Sequence, residues 1–212
     1  MRLFRNANLI LTVAVTLLAG TARGAVPSAC APPSGFKDTP HPAIAPIDQL
    51  VSHTEEVIVN RSLDEVLAEG DRTPLNQAIR KSDSLPGVSG TYELTSVGFG
   101  KPGSRRLVCL TDGSTTEEEV LERDRDKSSA QFRYVVWNYT TEKARPILYG
   151  VGHFVWTDLG NGRTQVHWTY SFQLNRQRFP GCLGSFGDFL FRVGFLDREY
   201  AQMMRNTLGK KR

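Results

Sequence analysis

At 212 residues, 40% of them hydrophobic and 9% aromatic, the chain is long enough for one domain with a sizeable core and short for two. The formal charge of +4 sits partly at the ends, in Arg2 and Arg5 and in Lys210, Lys211 and Arg212. The interior is therefore nearly balanced, which argues against a nucleic-acid-binding surface.

Arg2 and Arg5 precede an apolar run over residues 9–18 and the small residues Ala19, Gly20, Thr21, Ala22, Gly24 and Ala25. This is the anatomy of a signal peptide occupying residues 1–25, with cleavage after Ala22, Gly24 or Ala25. The apolar run is too short for a stable bilayer span, although an uncleaved N-terminal anchor is the alternative. The expectation is a secreted or periplasmic chain. Cys30, Cys109 and Cys182 would then meet an oxidising compartment, giving one pair and one spare. Cys30 with Cys182 is the favoured pair, because both lie outside regular strands while Cys109 reads as a small strand hydrophobe. No cysteine or histidine spacing suggests zinc, so no metal is expected.

Residues 26–47 are Pro-rich without an apolar period, the mark of a linker or a surface-draped arm ahead of a domain over residues 48–212. A first strand spans residues 53–61. Ser62 then caps a helix, with Glu65 completing a capping box, and Pro74 starts a second short helix. A strand over residues 91–97 and a Gly-rich loop follow. Three hairpin strands run from Arg105 to Val136, and a last hairpin turns at Gly160-Asn161-Gly162. From Ser185 to Leu208 the pattern is helical: Phe186, Phe189, Leu190, Val193, Leu196, Tyr200, Met203 and Met204 recur at three- and four-residue steps. Phe191 and Phe195 lie off that stripe, so the early turns should be covered on more than one side.

Strand alternation makes hairpin register decide which residues share a face. A three-residue loop at Gly160 to Gly162 sets Trp156 against Val166, Phe154 against Trp168 and Gly152 against Tyr170, giving one aromatic face. His153 and His167 take the other face, where surface histidines are expected. In the turn at Arg125 to Lys127, Asp124 against Ser128 sets Val120 against Phe132 and Glu118 against Tyr134, with Glu119 and Arg133 paired on a solvated face. The turn at Thr111-Asp112-Gly113 sets Arg106 against Glu118, whereas a two-residue turn would oppose Leu107 to Glu118. The first register is preferred because it gives a buried carboxylate a partner. The product is an inward triad of Arg106, Glu118 and Tyr134. It reads either as a structural ion pair or as a polar site in which Glu118 acts as base.

The order of elements, the run Arg106, Val108, Leu110, Asp112, Gly113, Glu118, Val120, and the hairpin Gly160, Gly162, Thr164, Val166, Trp168 resemble the START-like helix-grip superfamily (SRPBCC) of polyketide cyclases, dehydrases and lipid-transport proteins. The resemblance covers about residues 53–208. It implies an α+β helix-grip fold, a curved antiparallel sheet of about six to seven strands wrapped around a long C-terminal helix, with an apolar cavity between. The expected function is an exported binding protein for a hydrophobic small molecule or lipid, without a cofactor or nucleic-acid partner. Its cavity would be lined by Arg106, Val108, Glu118, Val120, Phe132, Tyr134, Phe154, Trp156, Trp168, Tyr170, Phe189, Val193, Leu196 and Tyr200. The alternatives are a cyclase or dehydratase using Glu118 with Tyr134 and Arg106, and an interaction module with a vestigial cavity. The basic tail adds a weak attraction to acidic lipid surfaces.

Overall fold

Alternating apolar and polar residues build seven antiparallel strands, β1 (Val51–Val59), β2 (Val88–Glu93), β3 (Arg105–Leu110), β4 (Thr115–Arg125), β5 (Ser129–Trp137), β6 (Ile147–Gly160) and β7 (Arg163–Leu174). They form one sheet in the order β1-β7-β6-β5-β4-β3-β2. The chain is seen in a computed structural model that describes residues 30–209. The expected signal peptide and the basic residues 210–212 lie outside that span. Between β1 and β2 run α1 (Leu63–Arg72) and the single turn α2 (Leu75–Ala78). Ser62 caps α1 as expected: its hydroxyl accepts from the Glu65 amide, and the Glu65 carboxylate accepts from the Ser62 amide at 2.9 Å.

After β7 the chain forms one continuous helix, α3 (Ser185–Phe191), a π-helical stretch (Arg192–Tyr200) and α4 (Ala201–Thr207). It packs on one face of the sheet through Phe191, Leu196, Met203 and Met204, against Trp168, Tyr170, Phe172 and Leu174. The expected α+β class and helix-grip arrangement are both present.

Two of the three hairpin registers follow the sequence. Arg106 faces Glu118 and Val108 faces Thr116, with Gly113 at φ 84° in the turn. Phe154 faces Trp168 and Gly152 faces Tyr170. That last hairpin closes on two residues, Asn161 and Gly162, both at positive φ, and a bulge between Asp158 and Gly160 restores the register that a three-residue loop would give.

The β4–β5 register departs from expectation. Asp126 accepts from the amides of Ser128 and Ser129 at 2.8 and 2.7 Å, and Asp124 comes opposite Gln131, three residues beyond the expected Ser128. With a bulge between Val120 and Glu122, Glu118 comes opposite Val136, and Val120 opposite Tyr134. A slip of two keeps every residue inward of the bulge on its face, so Glu118 and Tyr134 remain on the inner side as diagonal neighbours. Arg133 pairs with Glu122 at 3.0 Å rather than with Glu119.

The outer face near β3, β4 and β5 is covered rather than solvated. Residues 30–46 drape across it, and Ile44 and Ala45 pack on Leu50, Val135, Trp137, Tyr149 and Val151. The Thr39 carbonyl accepts from Arg105 at 2.8 Å and from the Trp137 indole at 3.1 Å. Beneath the arm Glu117 is fully buried, bonded to Arg105 and to Asn138, and burial raises its pKa above the usual carboxylate value. The arm also settles the cysteines: Cys30 bonds Cys109 across a Cα–Cα distance of 5.7 Å, and Cys182 is free and exposed. The expected Cys30–Cys182 pair is thus corrected. Cys109 points outward, to the side where the arm lies, and a strand position does not keep a cysteine from a partner laid over the sheet.

Candidate functional site

The concave face of the sheet carries a row of rings. Phe132, Phe154 and Trp156 are half-buried at its outer end, while Tyr134, Trp168 and Tyr170 are buried farther in. The Phe154 ring stacks on Trp156 and on Trp168, with centroids 5.3 and 4.6 Å apart. Phe132 lies 5.4 Å from Tyr134, which meets Tyr170 edge-on at 6.1 Å. Two glycines of β6 make room for this. A Cβ on Gly152 would overlap the Tyr134 ring, and one on Gly150 would lie 2.6 Å from Tyr170.

Arg106 of β3 and Glu118 of β4 sit beside this row. The Arg106 Nε donates to the Glu118 carboxylate at 2.6 Å, with the side chains 13% and 6% exposed. The guanidinium also stacks on the Phe99 ring, 3.6 Å from its centroid, which holds its plane. Burial first, and the Glu118 charge second, push the Tyr134 phenol well above its ordinary pKa. Burial does the same to Tyr139, Tyr170 and Tyr200. All four phenols therefore stay protonated at neutral pH and can act as hydrogen-bond donors. The buried Trp168 indole N–H makes no hydrogen bond among the described residues. The cluster offers a carboxylate held by one guanidinium, neutral hydroxyls and an unsatisfied N–H: a set suited to a ligand's hydroxyl or carbonyl within an apolar surround.

Most of the sequence-predicted site residues come together here: Arg106, Val108, Glu118, Val120, Phe132, Tyr134, Phe154, Trp156, Trp168 and Tyr170 share the concave side, with Leu196 and Tyr200 above them. Phe189 and Val193 do not join them, being 56% and 41% exposed. The helical period assigns them to the stripe of Leu196. The π-helical stretch takes more residues per turn, so residues before and after it fall out of phase, and Phe191 and Phe195 face the sheet instead. His153 lies 3.3 Å from Gln131, and His167 lies 3.3 Å from Glu56. Among the described residues no group of three potential ligands is placed to hold a metal.

Sequence reasoning missed a second polar cluster. Glu55 of β1 is buried opposite Trp168 and accepts from Arg205 of α4 at 2.7 Å. His53 bridges Glu55 at 3.0 Å and Asp197 of the π-helical stretch at 2.7 Å. The alternation of Val51, His53, Glu55 and Val57 carried the signal, but its direction depends on pairing with β7, which no local turn dictates. Tyr139 was missed because it lies beyond the end of β5, where no strand alternation applies.

No protein-family model matches the chain, and no curated protein matches it. Solved structures do. A START superfamily protein from Mycobacterium smegmatis superposes with a TM-score of 0.50 at 12% identity, covering 74% of this chain and 93% of that one. The fold is the START-like helix grip. The di-domain ARO/CYC protein StfQ of the steffimycin biosynthetic pathway matches with a TM-score of 0.52 at 15% identity, over 77% of this chain and 49% of that protein. At such identities the helix-grip likeness is one of fold, and chemistry has to be argued from this chain's own residues.

Proposed function

We propose that the chain is an exported binding protein that holds a hydrophobic small molecule or lipid between the sheet and the C-terminal helix. In this reading residues 48–212 are the ligand-binding unit, residues 26–47 its covering arm, and residues 1–25 a segment removed on export. The observation that carries it is the row of rings running from half-buried Phe132, Phe154 and Trp156 to the Arg106–Glu118 pair. An apolar ligand would lie along the rings, and its polar group would meet Glu118, Tyr134 and the Trp168 N–H. The Cys30–Cys109 bond supports the oxidising compartment. Native mass spectrometry after mild purification should find a bound apolar molecule, and an apolar fluorescent probe should compete with it. A chain that carries no added mass and takes up no such probe would end this reading.

The packing favours a second reading. Trp168, Leu196 and Met204 are at most 1% exposed, so side chains fill much of the space beneath the helix. On that ground the chain is an interaction module with a vestigial cavity, and failure of both ligand assays is its expected result. Catalysis by Glu118 draws less support, because Arg106 already occupies the carboxylate at 2.6 Å.

A further inference from the structure

The first turns of the C-terminal helix are apolar on two sides, and only one is covered by the described residues. Phe191 and Phe195 turn onto Phe172, with ring centroids 5.5 and 6.3 Å away. Phe186, Phe189 and Val193 form an outward stripe, 61%, 56% and 41% exposed. Phe179 and Leu183, 67% and 45% exposed, extend it from the preceding loop. Five of the eleven exposed large hydrophobics among the described residues therefore lie between positions 179 and 193, a patch rather than scatter. The patch has a firm base. Gly187 faces the Pro180 carbonyl so closely that a Cβ would overlap it, which seats the loop directly on α3.

The charge around the patch points to its occupant. Arg176, Arg178 and Arg192 flank it against two carboxylates, Asp188 and, across the adjoining cleft, Asp48. Arg176 takes the Asp188 carboxylate with two bonds of 2.6 and 3.0 Å, while Arg178 and Arg192 are exposed and have no acidic partner among the described residues. A cleft of about 640 Å³ opens beside Phe189, with Arg176 and Arg192 but also Asp48 and Asp188 in its wall. Bulky apolar side chains that project between unpaired arginines match a surface that is greasy inside and negatively charged outside.

We propose that this face docks on an anionic phospholipid bilayer. Phe179, Phe186 and Phe189 enter the boundary between headgroups and acyl chains, and the exposed Arg178 and Arg192 meet lipid phosphates at its surface. This inference is independent of any ligand beneath the helix.

The test is flotation of the full chain with vesicles of phosphatidylglycerol and phosphatidylcholine, set against phosphatidylcholine alone. The parent should bind the anionic vesicles and release them in high salt. Phe186→Ser with Phe189→Ser should weaken binding by about tenfold or more, as each aromatic ring removed forfeits most of its apolar burial. Arg178→Glu with Arg192→Glu should do the same and flatten the salt dependence. All four side chains are exposed, so circular dichroism should stay that of the parent. Equal binding to neutral vesicles, or parental binding by the Phe186/Phe189 variant, would overturn the proposal and assign binding to another segment. So would a parental dimer in sedimentation that this variant converts to monomer, which would assign the patch to a second copy of the chain.

Discussion

Removing Glu118 while leaving Arg106 isolates what a buried charge costs in this sheet. The Arg106 side chain is 13% exposed, its Nε bond to Glu118 is 2.6 Å, its guanidinium lies on the Phe99 ring, and Glu93 of β2, opposite it, is bonded to the Phe99 amide rather than to Arg106. A ring can face a cation but cannot accept its hydrogen bonds with a carboxylate's strength. Glu118→Met should therefore destabilise by about 3–5 kcal/mol, the usual cost of stranding one member of a buried pair. In a domain of this size that lowers Tm by about 10 °C. Arg106→Met should cost a similar amount. The double variant should return to within about 1 kcal/mol of the parent, because two apolar chains of similar length fill the same space without desolvating any charge. Urea unfolding of all four proteins gives the coupling energy directly. If each single variant lies within about 0.5 kcal/mol of the parent, the pair is effectively solvated and the account of an inward, buried Glu118 fails.

The Cys30–Cys109 bond joins residues 79 apart, so chain entropy predicts a loss of about 4 kcal/mol on its removal, whereas Cys182→Ser should have no effect. Urea midpoints of oxidised and reduced protein check this, and equal midpoints would mean that the arm contributes nothing to the fold. Glu117 supplies a pH signature. Its folded pKa is raised by burial, so between its unfolded value, about 4.3, and the higher folded value the native state binds more protons. Its contribution to stability is full below that interval and falls as pH rises through it. Glu117→Gln should flatten this part of the stability–pH curve, measured by urea unfolding at a series of pH values, and an unchanged slope would place the titration elsewhere.

Much of the concave face was legible because hairpin turns are local. Gly113 and the Asn161-Gly162 pair set their own backbone conformations, and from each turn the register runs back along the strands to Arg106–Glu118 and Phe154–Trp168. The β4–β5 register slipped because a turn can also be set by a side chain. Asp126 caps two amides, and that competes with the shorter loop. The error did little harm because the bulge between Val120 and Glu122 leaves an even slip at Glu118. The helix was legible as a helix but not in its facing, since a π-helical stretch gives no sign in a pattern counted at 3.6 residues per turn.

By itself, then, the sequence determined the strand order in the meander, the capped first helix, the aromatic inner face and the inward carboxylate at Glu118. All of these depend on neighbours a few residues away or across a tight turn. Only the tertiary structure decided the partner of Cys30, the burial of Glu117 under residues 30–46, the Glu55–Arg205 contact and the exposure of Phe189. Each of these depends on where a distant segment is laid against the sheet, and no local period or turn encodes that placement.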